Sequence, residues 1–169
     1  MKLDKTVWAT GWNEYGQLGD GTTVDKTNYI QVVKGGANAV AAGRRHSMML
    51  KQDGSVWATG DNIYGQLGGA STTMSTVFVQ VIWDSAQALA VGGFHSMVIK
   101  RDGSIWATGH NQFGQFGDGS TKSVKAFVAL SQFDTGKGRG TITHLWLHCH
   151  YCPIAGACHN ISHVLNLSF

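Results

Sequence analysis

The stretch Val7-Trp8-Ala9-Thr10-Gly11 returns as Val56-Trp57-Ala58-Thr59-Gly60 and again as Ile105-Trp106-Ala107-Thr108-Gly109, 49 residues apart each time. The residues that follow repeat in the same register, since eleven of the fifteen positions from Val7 are identical in the first two copies. A fixed period of this length is the signature of a repeat architecture. The chain is therefore built from tandem copies of one structural unit.

Each copy contains the signals of short antiparallel strands. Asp53-Gly54 and Asp102-Gly103 lie between apolar runs, and this arrangement predicts a tight hairpin turn because Gly tolerates positive φ. We expect the two strands that flank each Asp-Gly to pair, and no stretch shows a sustained helical period. The predicted strands are Ser47–Lys51 with Val56–Thr59, Ser96–Lys100 with Ile105–Thr108, and further Ile30–Val33, Ala39–Ala42, Phe78–Ile82 and Ala88–Val91.

About four strands per period predict an all-β fold, a partial β-propeller of three tandem four-stranded blades. A single blade leaves apolar faces uncovered, so the stacking of neighbours supplies the core. Closed propellers have roughly four to eight blades, and we therefore expect this chain to be a fragment of a larger ring or to complete a ring by association. A short open solenoid is the structural alternative. Residues 1–134 would form three repeats of about 1–50, 51–99 and 100–134, and residues 135–169 a diverged or aberrant tail.

Composition argues against several classes of function. The net charge is +3, and residues 1–134 hold 11 Lys or Arg against 10 Asp or Glu, without the basic stripe of a nucleic-acid surface. No apolar run is long enough to cross a bilayer, and no apolar leader follows Met1. These features predict no nucleic-acid partner, no membrane partner and an intracellular location, cytoplasmic or nuclear.

The repeated motifs W-A-T-G-x-N-x-[YF]-G-Q-[LF]-G, G-x-x-H-S and D-G-S-[VI]-W resemble the regulator of chromosome condensation repeat family, over about Lys2 to Phe133. The resemblance implies a seven-bladed propeller that serves as an interaction module, a ubiquitin-ligase domain, a photoreceptor or a guanine nucleotide exchange factor. Photoreceptor relatives carry Trp after the Gly of G-x-x-H, where this chain has Arg44 and Gly93. Exchange-factor relatives project a loop from the ring, and the even spacing here leaves no room for one.

His46 and His95, each followed by Ser, could suggest catalysis. A catalytic triad is built once, with an orienting carboxylate, whereas these residues recur in each copy. We therefore interpret them as structural, with a neutral imidazole that bridges backbone groups on adjacent strands. The three tryptophans of the repeated pentapeptide are predicted to be buried between blades rather than to stack on a ligand.

The other recurring residues are interpreted as structural as well, and we expect no catalytic residue and no cofactor. The glycines lack the Lys-Ser/Thr and the helix of a phosphate loop, so they are read as turn residues, and the asparagines as partners of the local backbone. The structural positions are Trp8, Gly11, Asn13, Gly16, Gly19, His46, Asp53, Gly54, Trp57, Gly60, Asn62, Gly65, Gly68, His95, Asp102, Gly103, Trp106, Gly109, Asn111, Gly114 and Gly117.

The tail after Arg139 has a different composition. Residues 140–169 contain no Lys, Arg, Asp or Glu, but five of the eight His and all three Cys. Cys149, Cys152, Cys158 and His163 are a candidate zinc site, because thiolate and imidazole are ligands that Zn²⁺ prefers. A frame-shifted or mis-spliced end and a diverged final strand are the other two interpretations.

The sequence as a whole predicts a non-catalytic protein-interaction module rather than an enzyme. The strands are committed to packing, so loops at the faces of the ring should carry specificity. The copies differ most in the loops at about Thr22–Asn28 and Ser71–Thr76, and these are the candidate contact residues. The alternative function is guanine nucleotide exchange on a small GTPase.

Overall fold

The computed structural model describes residues 1–130, and these form ten β-strands with no helix in that range. The strands are arranged in three antiparallel sheets, ordered β1-β2, β3-β4-β5-β6 and β7-β8-β9-β10. Their bounds are β1 Val7–Gly11, β2 Lys26–Val33, β3 Ala37–Ala42, β4 His46–Lys51, β5 Val56–Gly60, β6 Ser75–Ile82, β7 Ala86–Val91, β8 His95–Lys100, β9 Ile105–Gly109 and β10 Val124–Ala129.

Both predicted Asp-Gly hairpins are confirmed. β4 pairs with β5, and β8 with β9, around turns in which the Asp53 or Asp102 carboxylate accepts the backbone N–H two residues on, at 2.8 and 2.9 Å. The other four predicted strands are also present, and each begins two to four residues earlier than its apolar run. The early residues of β2, such as Lys26, are polar and exposed or half-exposed, so they carry no hydrophobic signal although the backbone pairs with β1.

The three sheets follow one register. Gly11 pairs with Lys26, Gly60 with Ser75 and Gly109 with Val124, so that every pair is displaced by 49 residues from the one before. β1 and β2 therefore correspond to the third and fourth strands of the other sheets. The prediction of stacked propeller sheets is confirmed, but only the second and third have four strands and the first has two among residues 1–130. The division into repeats at about residues 50 and 99 stays a prediction.

Apolar side chains from neighbouring sheets form the core between them. Met48, Val56 and Ala58 of the second sheet are completely buried, in one cluster with Leu89 and Val98 of the third. A smaller cluster joins the first and second sheets in the same way. The first and second sheets thus bury apolar side chains against the sheet that follows, as stacked repeats require, and a further cluster around Ile105 and Phe116 lies within the third copy.

Polar bonds reinforce the same interfaces. Thr59 Oγ1 donates to the carbonyl oxygen of Gly16 at 2.8 Å, and Thr108 Oγ1 donates to that of Gly65 at 2.7 Å. Gly65 lies so close to the next sheet that a Cβ on it would be 2.3 Å from the Cα of Lys125. The φ of Gly65 is +81°. A glycine is required here both by the backbone conformation and by the space.

The two ends of the sheets differ in their connections. One end, here called the loop end, carries the turns at 43–45 and 92–94 and the long loops 12–25, 61–74 and 110–123. The other, the hairpin end, carries the Asp-Gly turns and the links 34–36 and 83–85. In the part of the chain that the structure describes, no helix is long and apolar enough to cross a membrane.

Candidate functional site

The long loops at the loop end are held in place by three equivalent asparagines. Asn13, Asn62 and Asn111 are at most 2% exposed. Each Oδ1 accepts a backbone N–H five residues on at 2.9 Å, and each Nδ2 donates to a carbonyl oxygen nine residues on. A buried side-chain amide that is hydrogen-bonded to two segments of a loop fixes the conformation of that loop. The side chains on these loops are therefore presented on a rigid base.

The first variable loop contains its own ion pair. Lys26 Nζ lies 3.0 Å from Asp20 Oδ2, and Thr22 and Asn13 also donate to this carboxylate. Burial raises the pKa of Asp20, but the hydrogen bonds from Lys26, Thr22 and Asn13 outweigh it and lower the pKa to about 2. The Asp20 carboxylate is therefore ionised at neutral pH and can keep its ion pair with Lys26.

Aromatic rings and Arg45 form a continuous surface across the loop end, here called the aromatic ridge, and the Arg44 guanidinium lies beside it, 5.7 Å from the Phe94 centroid. Trp12 contacts Tyr15 edge to face at 5.4 Å between ring centroids, and the Arg45 guanidinium lies 4.5 Å from the Tyr15 centroid and 6.0 Å from that of Phe94. The contacts continue from Phe94 to Tyr64 at 5.4 Å, on to His110 at 4.8 Å, and from His110 to Phe113 at 5.8 Å. The ridge consists of Trp12, Tyr15, Arg45, Tyr64, Phe94, His110 and Phe113.

Repeat geometry explains why the ridge is continuous. Arg45 and Phe94 occupy the same position of successive copies, and so do Tyr15 and Tyr64. The Arg45 contact with Tyr15 and the Phe94 contact with Tyr64 are thus equivalent in the repeat. The first places a cation over a ring, and the second packs one ring against another. A geometry that recurs with every sheet extends the surface from sheet to sheet.

Several ridge side chains remain accessible although they touch one another. Trp12 is 45% exposed, Tyr64 39% and Phe113 70%, and the neighbouring Ile63 is 62% exposed. Contiguous exposed apolar side chains on a soluble protein mark binding surfaces more often than isolated ones do. Trp, Tyr and Arg are also the side chains that dominate the binding energy of protein interfaces.

His46 lies beneath the ridge and joins two sheets. Its Nε2 is 2.9 Å from Ser96 Oγ, and that hydroxyl donates to the carbonyl oxygen of Gln66 at 2.7 Å. Because the hydroxyl hydrogen is used on Gln66, Nε2 must carry the ring proton. Nδ1 has no hydrogen-bond partner, and the imidazole lies so close to Gly43 that a Cβ there would be 2.6 Å from Cε1.

This contact differs from the role predicted for His46, while that of His95 stays a prediction. We expected a bridge between backbone groups of adjacent strands, whereas His46 bonds a serine of the next sheet. Burial, with a smaller effect of His95, lowers the pKa of His46 to about 3, and burial with a smaller effect of His110 lowers that of His95 to about 4. His46 is 0% exposed, so it is a neutral group that cannot reach a substrate at the surface.

The repeated tryptophans lie at the hairpin end and are half-buried rather than enclosed. Trp57 Nε1 donates to Ser55 Oγ at 3.0 Å, and Ser55 Oγ donates to Asp53 at 2.6 Å. Lys51 Nζ lies 3.9 Å from the ring centroid. One face of Trp57 packs on the cluster between the first and second sheets, so the predicted burial between blades holds for part of the ring only.

The candidate contact loops of the sequence, about Thr22–Asn28 and Ser71–Thr76, lie at the loop end and are mostly exposed. The ridge is not predicted by the sequence. The one sign of it there is that the residues at positions 12, 45 and 94 differ from their equivalents inside otherwise repeated motifs. The candidate zinc ligands Cys149, Cys152, Cys158 and His163 lie outside the described residues, and residues 1–130 contain no group of three or more His, Cys, Asp or Glu that could hold a metal.

Two family models match the chain, and both describe the regulator of chromosome condensation (RCC1) repeat. One matches residues 4–50, and the other matches residues 38–66 and 86–115. Together they cover more than half of the chain. No curated protein sequence gave a match.

Solved structures with the same fold include RCC1-type proteins. Human WBSCR16 is 21% identical with a TM-score of 0.65, over 75% of this chain and 35% of that one. Yeast RCC1 (Prp20) bound to Kap60 is 17% identical with a TM-score of 0.67, over 76% and 34%, and Prp20p from Saccharomyces cerevisiae is 19% identical with a TM-score of 0.65, over 77% and 35%. The chain spans about a third of the length of each, and these similarities establish the fold.

Proposed function

We propose that this chain, which belongs to the regulator of chromosome condensation repeat family, is a non-catalytic protein-interaction module that binds its partner with the aromatic ridge. The observation that carries the proposal is the unbroken series of ring and guanidinium contacts from Trp12 to Phe113 across three sheets. Each sheet contributes at least one exposed or half-exposed aromatic side chain to it.

Rigidity favours binding by this surface. Aromatic side chains have few rotatable bonds, and those of the ridge already contact one another, so little side-chain freedom remains to be lost on association. The buried asparagines hold the backbone beneath them. The variable segments at about Thr22–Asn28 and Ser71–Thr76 continue the long loops that carry Trp12 and Tyr64, and they would set the specificity of binding.

Guanine nucleotide exchange on a small GTPase is the second candidate function. It is favoured by one similar structure, Prp20p, which is described with its binding properties to Gsp1p and histones. Nucleotide-release assays with a panel of small GTPases, each loaded with fluorescent GDP, test this candidate. Faster release in the presence of the full chain supports it, and unchanged release rates across the panel reject it.

A quantitative affinity capture tests the interaction module. The full chain, the Trp12→Ala/Phe113→Ala variant and a Trp83→Ala control are used as baits under the same conditions. Trp83 is 79% exposed and lies in a link at the hairpin end, so it matches the ridge residues in chemistry but not in place. Proteins recovered with the wild type and with the control, but reduced about tenfold with the ridge variant, support the proposal. Equal recovery with all three baits contradicts it.

A further inference from the structure

Arg45 is the one guanidinium that the ridge holds between two rings. Its Cζ lies 4.5 Å from the centroid of Tyr15 on one sheet and 6.0 Å from that of Phe94 on another. The residue is half-buried. Rings on two sides fix the plane of the guanidinium and remove part of its water.

The side chain of Arg45 has a hydrogen-bond donor that no residue within 1–130 uses. Its Nε is buried and has no hydrogen-bond partner. The nearest acidic residue along the backbone contacts is Asp61, whose N–H donates to the Arg45 carbonyl oxygen at 2.8 Å. The Asp61 carboxylate accepts from the backbone N–H of Ile63 at 3.1 Å through Oδ1, and its buried Oδ2 has no hydrogen-bond partner and forms no ion pair with Arg45 within residues 1–130.

This is an unusual state for a partly desolvated cation. A guanidinium taken partly out of water is normally compensated by an anion or by hydrogen bonds to its nitrogens. Arg45 has the ring contacts but neither of these within the described residues. The rings orient the Arg45 guanidinium, and a bound carboxylate could form a charge-assisted pair with it through two parallel hydrogen bonds.

We propose that the ridge recognises an acidic peptide segment of a partner protein, in which an Asp or Glu carboxylate pairs with Arg45. This rests on the proposed function and names the chemistry of the partner. An apolar side chain next to the acidic residue would rest on Tyr64 and Phe113, the exposed rings on the far side of Phe94.

The surroundings favour a protein carboxylate over a nucleic acid. A phosphate backbone is bound by a series of cations spaced along its path. The position equivalent to Arg45 in the next copy is Phe94, and Glu14 next to Tyr15 is exposed and acidic. Arg44 adds a second cation beside the same Phe94 ring, but no cation follows at the equivalent position of the next copy. Two adjacent cations next to aromatic rings suit a short acidic segment with an apolar neighbour.

A displayed library of random 12-residue peptides, selected on the full chain, provides the test. Enriched peptides are synthesised, and their affinities for the wild type and for Arg45→Gln, Arg45→Lys and Arg101→Gln are measured by fluorescence anisotropy. Arg101 lies in the hairpin turn at the opposite end and serves as the charge-matched control. Thermal unfolding of each variant shows whether it is folded, and Arg45→Lys keeps the charge should Arg45→Gln be destabilised.

The proposal predicts enrichment of Asp or Glu beside an aromatic or aliphatic residue. Arg45→Gln should weaken binding about tenfold, because a charge-assisted pair is lost, and Arg45→Lys should weaken it less. Replacing the peptide's acid by its amide should have the same effect in the wild type and little effect in Arg45→Gln, while Arg101→Gln should bind as the wild type does.

Two results overturn the proposal, and they are distinguishable. Peptides that need Trp12 and Phe113 but bind Arg45→Gln as tightly as the wild type would reject the carboxylate and leave the interaction module standing. Selection of peptides that bind the Trp12→Ala/Phe113→Ala variant unchanged, or of none at all, would reject both.

Discussion

Acidification from pH 7 to pH 5 should destabilise the fold through its buried histidines. The unfolded chain takes up protons on His46 and His95 near the ordinary pKa of 6.5, whereas burial lowers their pKa in the fold to about 3 and about 4. Between these values the unfolded state binds more protons than the folded state, so stability is complete above pH 6.5 and is lost as the pH falls.

The size of the effect follows from the same values. A difference of one proton changes the free energy of unfolding by about 1.4 kcal/mol per pH unit. From pH 7 to pH 5 this gives a loss of about 2 kcal/mol for each histidine, or about 4 kcal/mol for the pair. The pKa of Asp20 is lowered from 3.8 to about 2, so its contribution to stability is lost only as the pH falls from about 3.8 toward 2. Asp20 therefore does not affect stability between pH 7 and pH 5.

Urea denaturation at pH 7, 6 and 5 measures this loss. His46→Gln keeps an N–H donor but cannot titrate in this range, so the loss between pH 7 and pH 5 should fall to about half in that variant. His95→Gln gives a second, independent reduction. A loss of stability that is the same in the wild type and in both variants would refute the assignment of neutral buried histidines.

Three substitutions test the contacts between sheets, each by urea denaturation at pH 7. Thr108→Val removes the hydroxyl bonded to the Gly65 carbonyl oxygen and should cost about 1–3 kcal/mol, while Thr108→Ser should keep most of that stability. Gly65→Ala should cost about 2 kcal/mol or more, because its φ is positive and Lys125 lies against it. Met48→Ala should cost about 2–5 kcal/mol, against about 0.5 kcal/mol or less for Val40→Ala, which is 40% exposed. Equal costs for Met48→Ala and Val40→Ala would contradict the inter-sheet core.

The strands could be predicted from the sequence because their signals are local. An Asp-Gly between two apolar runs predicts a hairpin from the residues of that hairpin alone. The repetition of Trp57 and its neighbours at 49 residues extends the strand prediction to every copy. The strand beginnings were missed at residues such as Lys26, where pairing with β1 decides the structure and hydrophobicity does not.

The ridge could not be predicted because it is made of contacts between different sheets. Tyr15 and Arg45 belong to different positions of the repeat, and only the stacking of the first sheet on the second brings them together. His46 and Ser96 illustrate the same limit, since the sequence predicted a bridge between backbone groups of adjacent strands and the observed partner of His46 lies 50 residues away on the next sheet.

Site-specific photo-cross-linking tests the binding role of the ridge most directly. p-Benzoylphenylalanine is placed at Phe113 of the full chain, which is 70% exposed, or at Trp83, which is 79% exposed, as a control at the hairpin end. Binding through the ridge should give a light-dependent covalent protein adduct from position 113 and none of that mass from position 83. An adduct from position 83 alone, or no adduct from position 113 while the protein is folded, would contradict a binding role of the ridge.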